Sequence, residues 1–140
     1  MYESLTKYIP ALSQDRIGIW VFPNTEDGIP DCWANEVPYI KYSTTFIEFI
    51  EDIYTFVETH EELELSTFED ILRDNGIDWS AVSLTNAPVE YLDARCILAL
   101  LVAAVRLERS YEGVLLVFFE DGVILKWLRR IEEIDSGQTW

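Results

Sequence analysis

The 140-residue sequence is poor in the side chains that most metal and catalytic sites require. It contains one histidine and two cysteines. His60 opens the segment HEELE, but the zinc-protease helix needs a second histidine four residues later, and that position is Glu64. A serine or cysteine nucleophile would also have only His60 as its base. We therefore predict no metal, no cofactor and no catalytic residue, which favours a non-catalytic protein.

Phosphate-binding loops and basic charge are scarce as well. The six glycines occur singly, and none begins a nucleotide-binding pattern. Ten Lys and Arg residues stand against 26 Asp and Glu residues, for a net charge of -16. A field of this sign repels nucleic acid phosphates and anionic lipids at long range. The charge argues against direct nucleic acid binding and favours a basic protein as the partner.

The sequence has no hydrophobic run long enough for a membrane span. Its longest apolar run, residues 97–105, is about half of the ~20 residues that a span needs. The N-terminal segment MYESLTKYIP has no basic region followed by an apolar stretch, as a signal peptide would. Cys32 and Cys96 suit a reducing compartment better than a disulfide framework. We expect a cytoplasmic protein that does not enter the membrane.

Apolar residues are abundant enough for one folded core. Hydrophobic residues make up 49% of the chain and aromatic residues 14%, which is not a disordered composition. The length is that of one ordinary domain, and neither a repeat nor a Pro/Gly/Ser-rich linker divides it. We predict a single domain over residues 1–140.

Hydrophobic periodicity predicts several helices. An amphipathic helix with an acidic outer face is expected over residues 44–64, and a short helix capped by Ser66 and Glu69 should end near residue 74. Residues 89–111 contain CILALLVAAV, apolar on every side, which is typical of a central buried helix. After Asp121-Gly122, the spacing of apolar residues favours an amphipathic closing helix over a hairpin. A short helix within residues 2–12 is also predicted.

Two β-rich segments complete the predicted fold. RIGIWVF at residues 16–22 and VLLVFF at residues 114–119 indicate strands of a small sheet. YIKY at residues 39–42 is a third strand or an extended lead-in, since two strands alone are marginal. The predicted class is α+β: a mostly helical domain with a central apolar helix and a two- or three-stranded sheet.

Charge is segregated along the chain. Residues 43–94 hold thirteen acidic residues and one basic residue, whereas residues 95–131 hold six basic and four acidic residues. One interpretation is that arginines at the ends of the central helix pair inward with carboxylates of the acidic helices. The other is an anion or ligand pocket, because Arg106 and Arg109 lie three residues apart on one helical side. Its further members would be Tyr111 and Glu108, and either Glu108 or Glu112 is the candidate proton carrier.

These patterns leave three hypotheses for function. The first is a non-catalytic interaction or regulatory module whose acidic helix binds a basic partner surface. The second is a small enzyme or ligand-binding protein that uses the arginine pocket, and the third is a structural homodimer. The residues predicted to contact a partner are the loop tryptophan Trp33 and the acidic side chains of Glu48, Glu51, Asp52 and Glu58.

The C-terminal quarter resembles a known family. The segment ALLVAAVRLERSYEGVLLVFFEDGVILKWLRRIEEI, with VPYIKY earlier in the chain, is similar to a family of small uncharacterised bacterial proteins, a domain of unknown function. The resemblance consists of an Arg-x-x-Arg, a Gly-x-Leu, a glycine turn and a Leu-rich closing helix. It supports one domain and implies no activity. The matching positions are Arg106, Arg109, Gly113, Leu115, Gly122, Trp127 and Leu128.

Overall fold

The structure, a computed structural model, describes residues 2–14, 17–21 and 39–135. It has a mostly helical α+β fold, as predicted. The whole loop between the first two β segments, residues 22–38, lies outside the described residues, and so do Cys32 and Trp33 within it. The elements are α1 (Glu3–Thr6), α2 (Ile9–Gln14), β1 (Gly18–Val21), β2 (Tyr39–Tyr42), α3 (Thr44–Thr59), α4 (Phe68–Asp74), α5 (Ala81–Thr85), α6 (Ala94–Leu107), α7 (Val114–Glu120) and α8 (Val123–Asp135).

Helix α6 is the central element of the core. Apart from Arg95 and Arg106, every one of its residues is buried, and it packs against α3, α4, α5, α7 and α8. The predicted central helix is therefore confirmed, but it begins later than expected. Residues 89–91 form a 3₁₀ turn, Leu92 is extended, and the Asp93 side chain accepts a hydrogen bond of 2.8 Å from the backbone N–H of Cys96. This cap fixes the start of the helix.

The predicted strand at residues 114–119 is wrong, because this segment forms α7. A short run of apolar residues is compatible with a buried strand or a buried helix, and periodicity alone does not separate them. As a helix the segment buries Leu115, Leu116 and Phe118, while Val117 stays 53% exposed. Helix α7 packs against α6 and α8, whereas a strand at this position would have had to pair with the sheet.

The sheet consists instead of β1 and β2. They pair antiparallel, with Gly18 opposite Tyr42 and Val21 opposite Tyr39. The strand predicted at residues 39–42 is thus confirmed, and it takes the place that residues 114–119 were expected to fill. The sheet lies close to the start of α7: a Cβ on Gly113, whose φ is +100°, would come within 2.8 Å of Cζ2 of Trp20.

Two further helix predictions differ in outcome. Helix α8 confirms the closing amphipathic helix and excludes the hairpin, and its apolar face buries Trp127, Leu128 and Ile131. Helix α4 ends at Asp74 as predicted, but its capping box is wrong. Ser66 belongs to a 3₁₀ turn, Leu65–Thr67, and α4 begins after Thr67 without a side-chain cap. Within the described ranges no helix is both long and apolar enough to cross a membrane.

Candidate functional site

Helix α3 presents the acidic face that its sequence predicts. The helix starts where the hydroxyl of Ser43 accepts a hydrogen bond from the backbone N–H of Phe46, and it ends at Thr59, short of the predicted residue 64. Its inner face buries phenylalanine and isoleucine side chains. Glu48, Glu51 and Glu58 are exposed on the outer side, and we refer to these three residues as the acidic ridge.

Asp52 has a different role from the ridge, although it lies on the same helix. Its carboxylate accepts a hydrogen bond of 2.5 Å from the hydroxyl of Tyr8, and it lies 3.6 Å from the ammonium group of Lys7. Burial and this hydrogen bond raise the pKa of Tyr8. Asp52 therefore ties α3 to the N-terminal helices, which reduces its availability to a partner.

The ridge carries unneutralised charge within the part of the chain that the structure describes. No ion pair of the described residues involves Glu48, Glu51 or Glu58. Arg73, the single basic residue of the acidic segment, pairs locally with Asp70. The ridge is consequently an open, negatively charged surface.

An apolar cleft of about 290 Å³ borders the ridge. Its walls come from α3, the C-terminal end of α6, β2 and the first turn of α7. Ile47 is 47% exposed at its edge. Across the cleft, the Arg109 guanidinium donates a hydrogen bond of 3.4 Å to the hydroxyl of Tyr54. The lining residues are Tyr42, Phe46, Ile47, Ile50, Glu51, Tyr54, Val105, Glu108, Arg109 and Leu115.

Glu108 acts in this structure as an acceptor for three donors. Its carboxylate accepts hydrogen bonds from the backbone N–H groups of Gly113, at 3.1 Å, and Leu115, at 3.0 Å. It also accepts one of 2.7 Å from the hydroxyl of Tyr42. Burial, reinforced by this carboxylate, raises the pKa of Tyr42. Glu108 thereby joins the end of α6 to β2 and to the start of α7, and these bonds argue against a proton-carrier role.

The predicted arginine pocket is only partly assembled. Glu108 and Arg109 both line the cleft, whereas Arg106 and Tyr111 do not. Tyr111 is 66% exposed to solvent. Arg106 is half-buried, and its Nε has no hydrogen-bond acceptor among the described residues. A shared grip of Arg106 and Arg109 on one anion stays a prediction, and the geometry favours Arg109 alone.

Arg95 and Arg130 both donate hydrogen bonds to carbonyl oxygens of distant segments, and Arg130 also lies 3.4 Å from the carboxylate of Glu133. Arg95 donates from Nε to the carbonyl of Leu63 at 2.8 Å, and Arg130 donates from Nε to the carbonyl of Val89 at 3.2 Å. For Arg95 the hypothesis of inward pairing with carboxylates of the acidic helices is therefore wrong, because its acceptor is a carbonyl oxygen. Arg95 still links α6 to the segment that follows α3.

Sequence reasoning missed the apolar wall of the cleft. Ile47 and Tyr54 are seven residues apart with Ile50 between them, so they lie on one side of α3. This side is distinct from the buried stripe and from the ridge. In the sequence, the signal for this wall is that the apolar residues of α3 cover more of its circumference than the buried stripe alone. Only the packing of α6 and α7 shows that these extra apolar residues border a cleft.

The described residues contain no evident metal or thiol chemistry. No group of three or more His, Cys, Asp and Glu residues there could hold a metal ion. His60 follows α3 and stacks on the ring of Phe56, with centroids 3.9 Å apart. The free thiol of Cys96 is buried, and burial raises its pKa to about 11. A protonated thiol is a poor nucleophile.

Comparison with known proteins adds one finding. Residues 76–137, which include α5 to α8, match a family of unknown function (DUF6508). The resemblance predicted from the C-terminal sequence is therefore confirmed as a resemblance to a domain of unknown function. The match begins at residue 76 and does not include the VPYIKY segment. No curated protein and no solved structure matches the chain.

Proposed function

We propose that the chain is a cytoplasmic, non-catalytic interaction or regulatory module that binds a basic surface of a partner protein through the acidic ridge of α3. The observation that carries this proposal is the ridge itself, three exposed carboxylates with no ion pair among the described residues. A net charge of -16 adds long-range attraction to any basic partner. Attraction of this kind speeds association and weakens with salt.

A pulldown with the full chain tests this proposal. We expect a basic protein to be captured at about 0.01 M ionic strength and released at about 1 M, because the Debye length falls from about 30 Å to about 3 Å between these conditions. The variant Glu48→Gln/Glu51→Gln/Glu58→Gln should no longer capture the basic protein, because the three substitutions remove the charge of the ridge and keep the size of its side chains. Equal capture by both proteins, or no basic protein with either, would contradict the proposal.

A second candidate function is the binding of a small anionic ligand at Arg109. The observation that favours it is the cleft beside this guanidinium. The nearby carboxylates of Glu51 and Glu108 weigh against it, since they repel an anion. The homodimer hypothesis stays a prediction, which the mass in solution across a range of concentrations would test.

A further inference from the structure

The acidic ridge and the apolar cleft are adjacent features of one helix. At about 100° per residue, Ile47, Ile50 and Tyr54 fall in one sector of α3. The ridge occupies the next sector, and Glu51 both belongs to the ridge and lines the cleft. An apolar depression is thus edged along one side by negative charge.

The cleft is at the small end of the range for ligand pockets, and it is large enough to receive a single side chain of a partner. Ligand pockets have volumes of roughly 300 to 1,000 Å³ and bury most of their ligand. The cleft holds about 290 Å³ and is open to solvent along the exposed edge of Ile47. Anchor residues of protein interfaces enter depressions of this kind, surrounded by contacts that exclude water.

The charged groups at the cleft point to a basic occupant. Glu51 is exposed and has no ion pair among the described residues, so it is available to a cation. The Glu108 carboxylate already accepts hydrogen bonds from Tyr42, Gly113 and Leu115. Arg109 is the cation of the lining, and its guanidinium contacts the neutral hydroxyl of Tyr54.

From this arrangement we infer that the cleft is the anchor site for a basic amphipathic segment of a partner protein. An apolar side chain of the segment enters between α3 and the end of α6, and flanking Lys or Arg residues pair with the acidic ridge. The inference rests on the proposed function and deepens it, because it names the chemistry of the partner. Helices with one apolar and one basic face are recognised in apolar grooves elsewhere by the same combination of contacts.

Fluorescence anisotropy of a labelled peptide made of leucine and lysine in helical periodicity tests the inference on the full chain. We expect binding that weakens with ionic strength, and a loss of affinity of about ten-fold or more in Ile47→Asp, since the buried contact of an apolar anchor is removed. Val82→Asp is the matched control, because Val82 is 72% exposed and does not line the cleft. It adds the same charge and should stay within about two-fold of the unmodified chain. Circular dichroism verifies that both variants fold.

A second comparison separates a basic from an anionic occupant. Decanoate serves as the anionic amphiphile. Arg109→Gln should preserve or strengthen binding of the leucine–lysine peptide, since it removes a repelling cation, and Glu51→Gln should weaken it by about two- to five-fold. Decanoate binding that competes with the peptide and is lost in Arg109→Gln would overturn the inference in favour of an anionic ligand.

The remaining outcomes distinguish the inference from the proposed function. Peptide binding that falls in Glu51→Gln but is unchanged in Ile47→Asp would refute the anchor site and leave the ridge as a binding surface. No binding of the peptide at low ionic strength would also refute the anchor site, while the pulldown decides separately on the ridge. Equal losses in Ile47→Asp and Val82→Asp would show that the loss of binding does not depend on the cleft, and would likewise refute the anchor site.

Discussion

Replacement of Glu108 by alanine should be one of the most destabilising single substitutions among the side chains that are not fully buried. The carboxylate receives hydrogen bonds from the backbone N–H groups of Gly113 and Leu115 and from the hydroxyl of Tyr42. The first two cap the start of α7, and the third holds β2 against the end of α6. Removal of the acceptor leaves three donors without their partner at once.

The expected loss follows from the three bonds. A hydrogen bond contributes about 0.5–1.5 kcal/mol net, or about 1.5–3 kcal/mol when one partner is charged, and loss of a helix cap costs about 0.5–2 kcal/mol. Water can reach this half-buried site and replace part of the loss, so we expect Glu108→Ala to lower the free energy of unfolding by about 3 kcal/mol. Glu108→Gln keeps one acceptor oxygen and should cost about half as much.

Urea denaturation measures these changes through the midpoint at constant slope. Glu62→Ala is the matched control, because Glu62 is an exposed carboxylate in a 3₁₀ turn, and its effect should stay within about 0.5 kcal/mol. A double-mutant cycle with Tyr42→Phe should give a coupling energy of about 1 kcal/mol. A loss in Glu108→Ala no larger than in Glu62→Ala would refute the role assigned to this carboxylate.

Three further predictions concern stability. Gly113→Ala should lower the stability measured by thermal unfolding by more than about 2 kcal/mol, since φ is +100° and the new Cβ meets a tryptophan ring at 2.8 Å. Gly76→Ala, with φ +74° and open space around it, should cost about 1 kcal/mol, and equal losses of stability in the two variants would contradict the close packing at Gly113. In urea, Arg106→Met should leave stability unchanged or raise it by up to about 1 kcal/mol because it removes a buried donor without an acceptor, while Arg95→Met should lower it by about 0.5 kcal/mol; the reverse order would contradict both assignments. The pKa of Tyr42 is raised in the folded state from 10.0, so its protonated hydroxyl contributes to stability below pH 10.0, and this contribution is lost as the pH rises further. Above pH 10.0 the free energy of unfolding should therefore fall less steeply with pH in Tyr42→Phe than in the unmodified chain. Identical slopes of the free energy of unfolding against pH would contradict this prediction.

The elements that sequence predicts well are those in which one pattern permits one structure. The run from Cys96 to Val105 is apolar on all sides and too short for a membrane span, so a central buried helix is its natural position. The acidic face of α3 follows in the same way from helical periodicity. The apolar run at residues 114–119 carried no such constraint, and tertiary packing against α6 and α8 decided that it forms a helix.

The candidate site was less predictable than the fold because it depends on contacts between distant segments. Arg106 and Arg109 share a helical side in sequence, yet only Arg109 reaches the cleft. Glu108 lies between them and looked like a catalytic candidate, but its bonds to Gly113 and Leu115 commit it to the start of α7. The position of that turn depends on a helix that the sequence pattern had indicated as a strand.

The most direct test of the central claim is a ¹⁵N–¹H chemical-shift map of the full chain titrated with the leucine–lysine peptide. The account predicts that the largest changes cluster at Ile47, Glu51, Tyr54 and Arg109, and that they shrink as ionic strength rises from about 0.01 M to about 1 M. Changes centred on another face of the molecule, or none at low ionic strength, would contradict the claim that the acidic ridge and its cleft bind a basic segment.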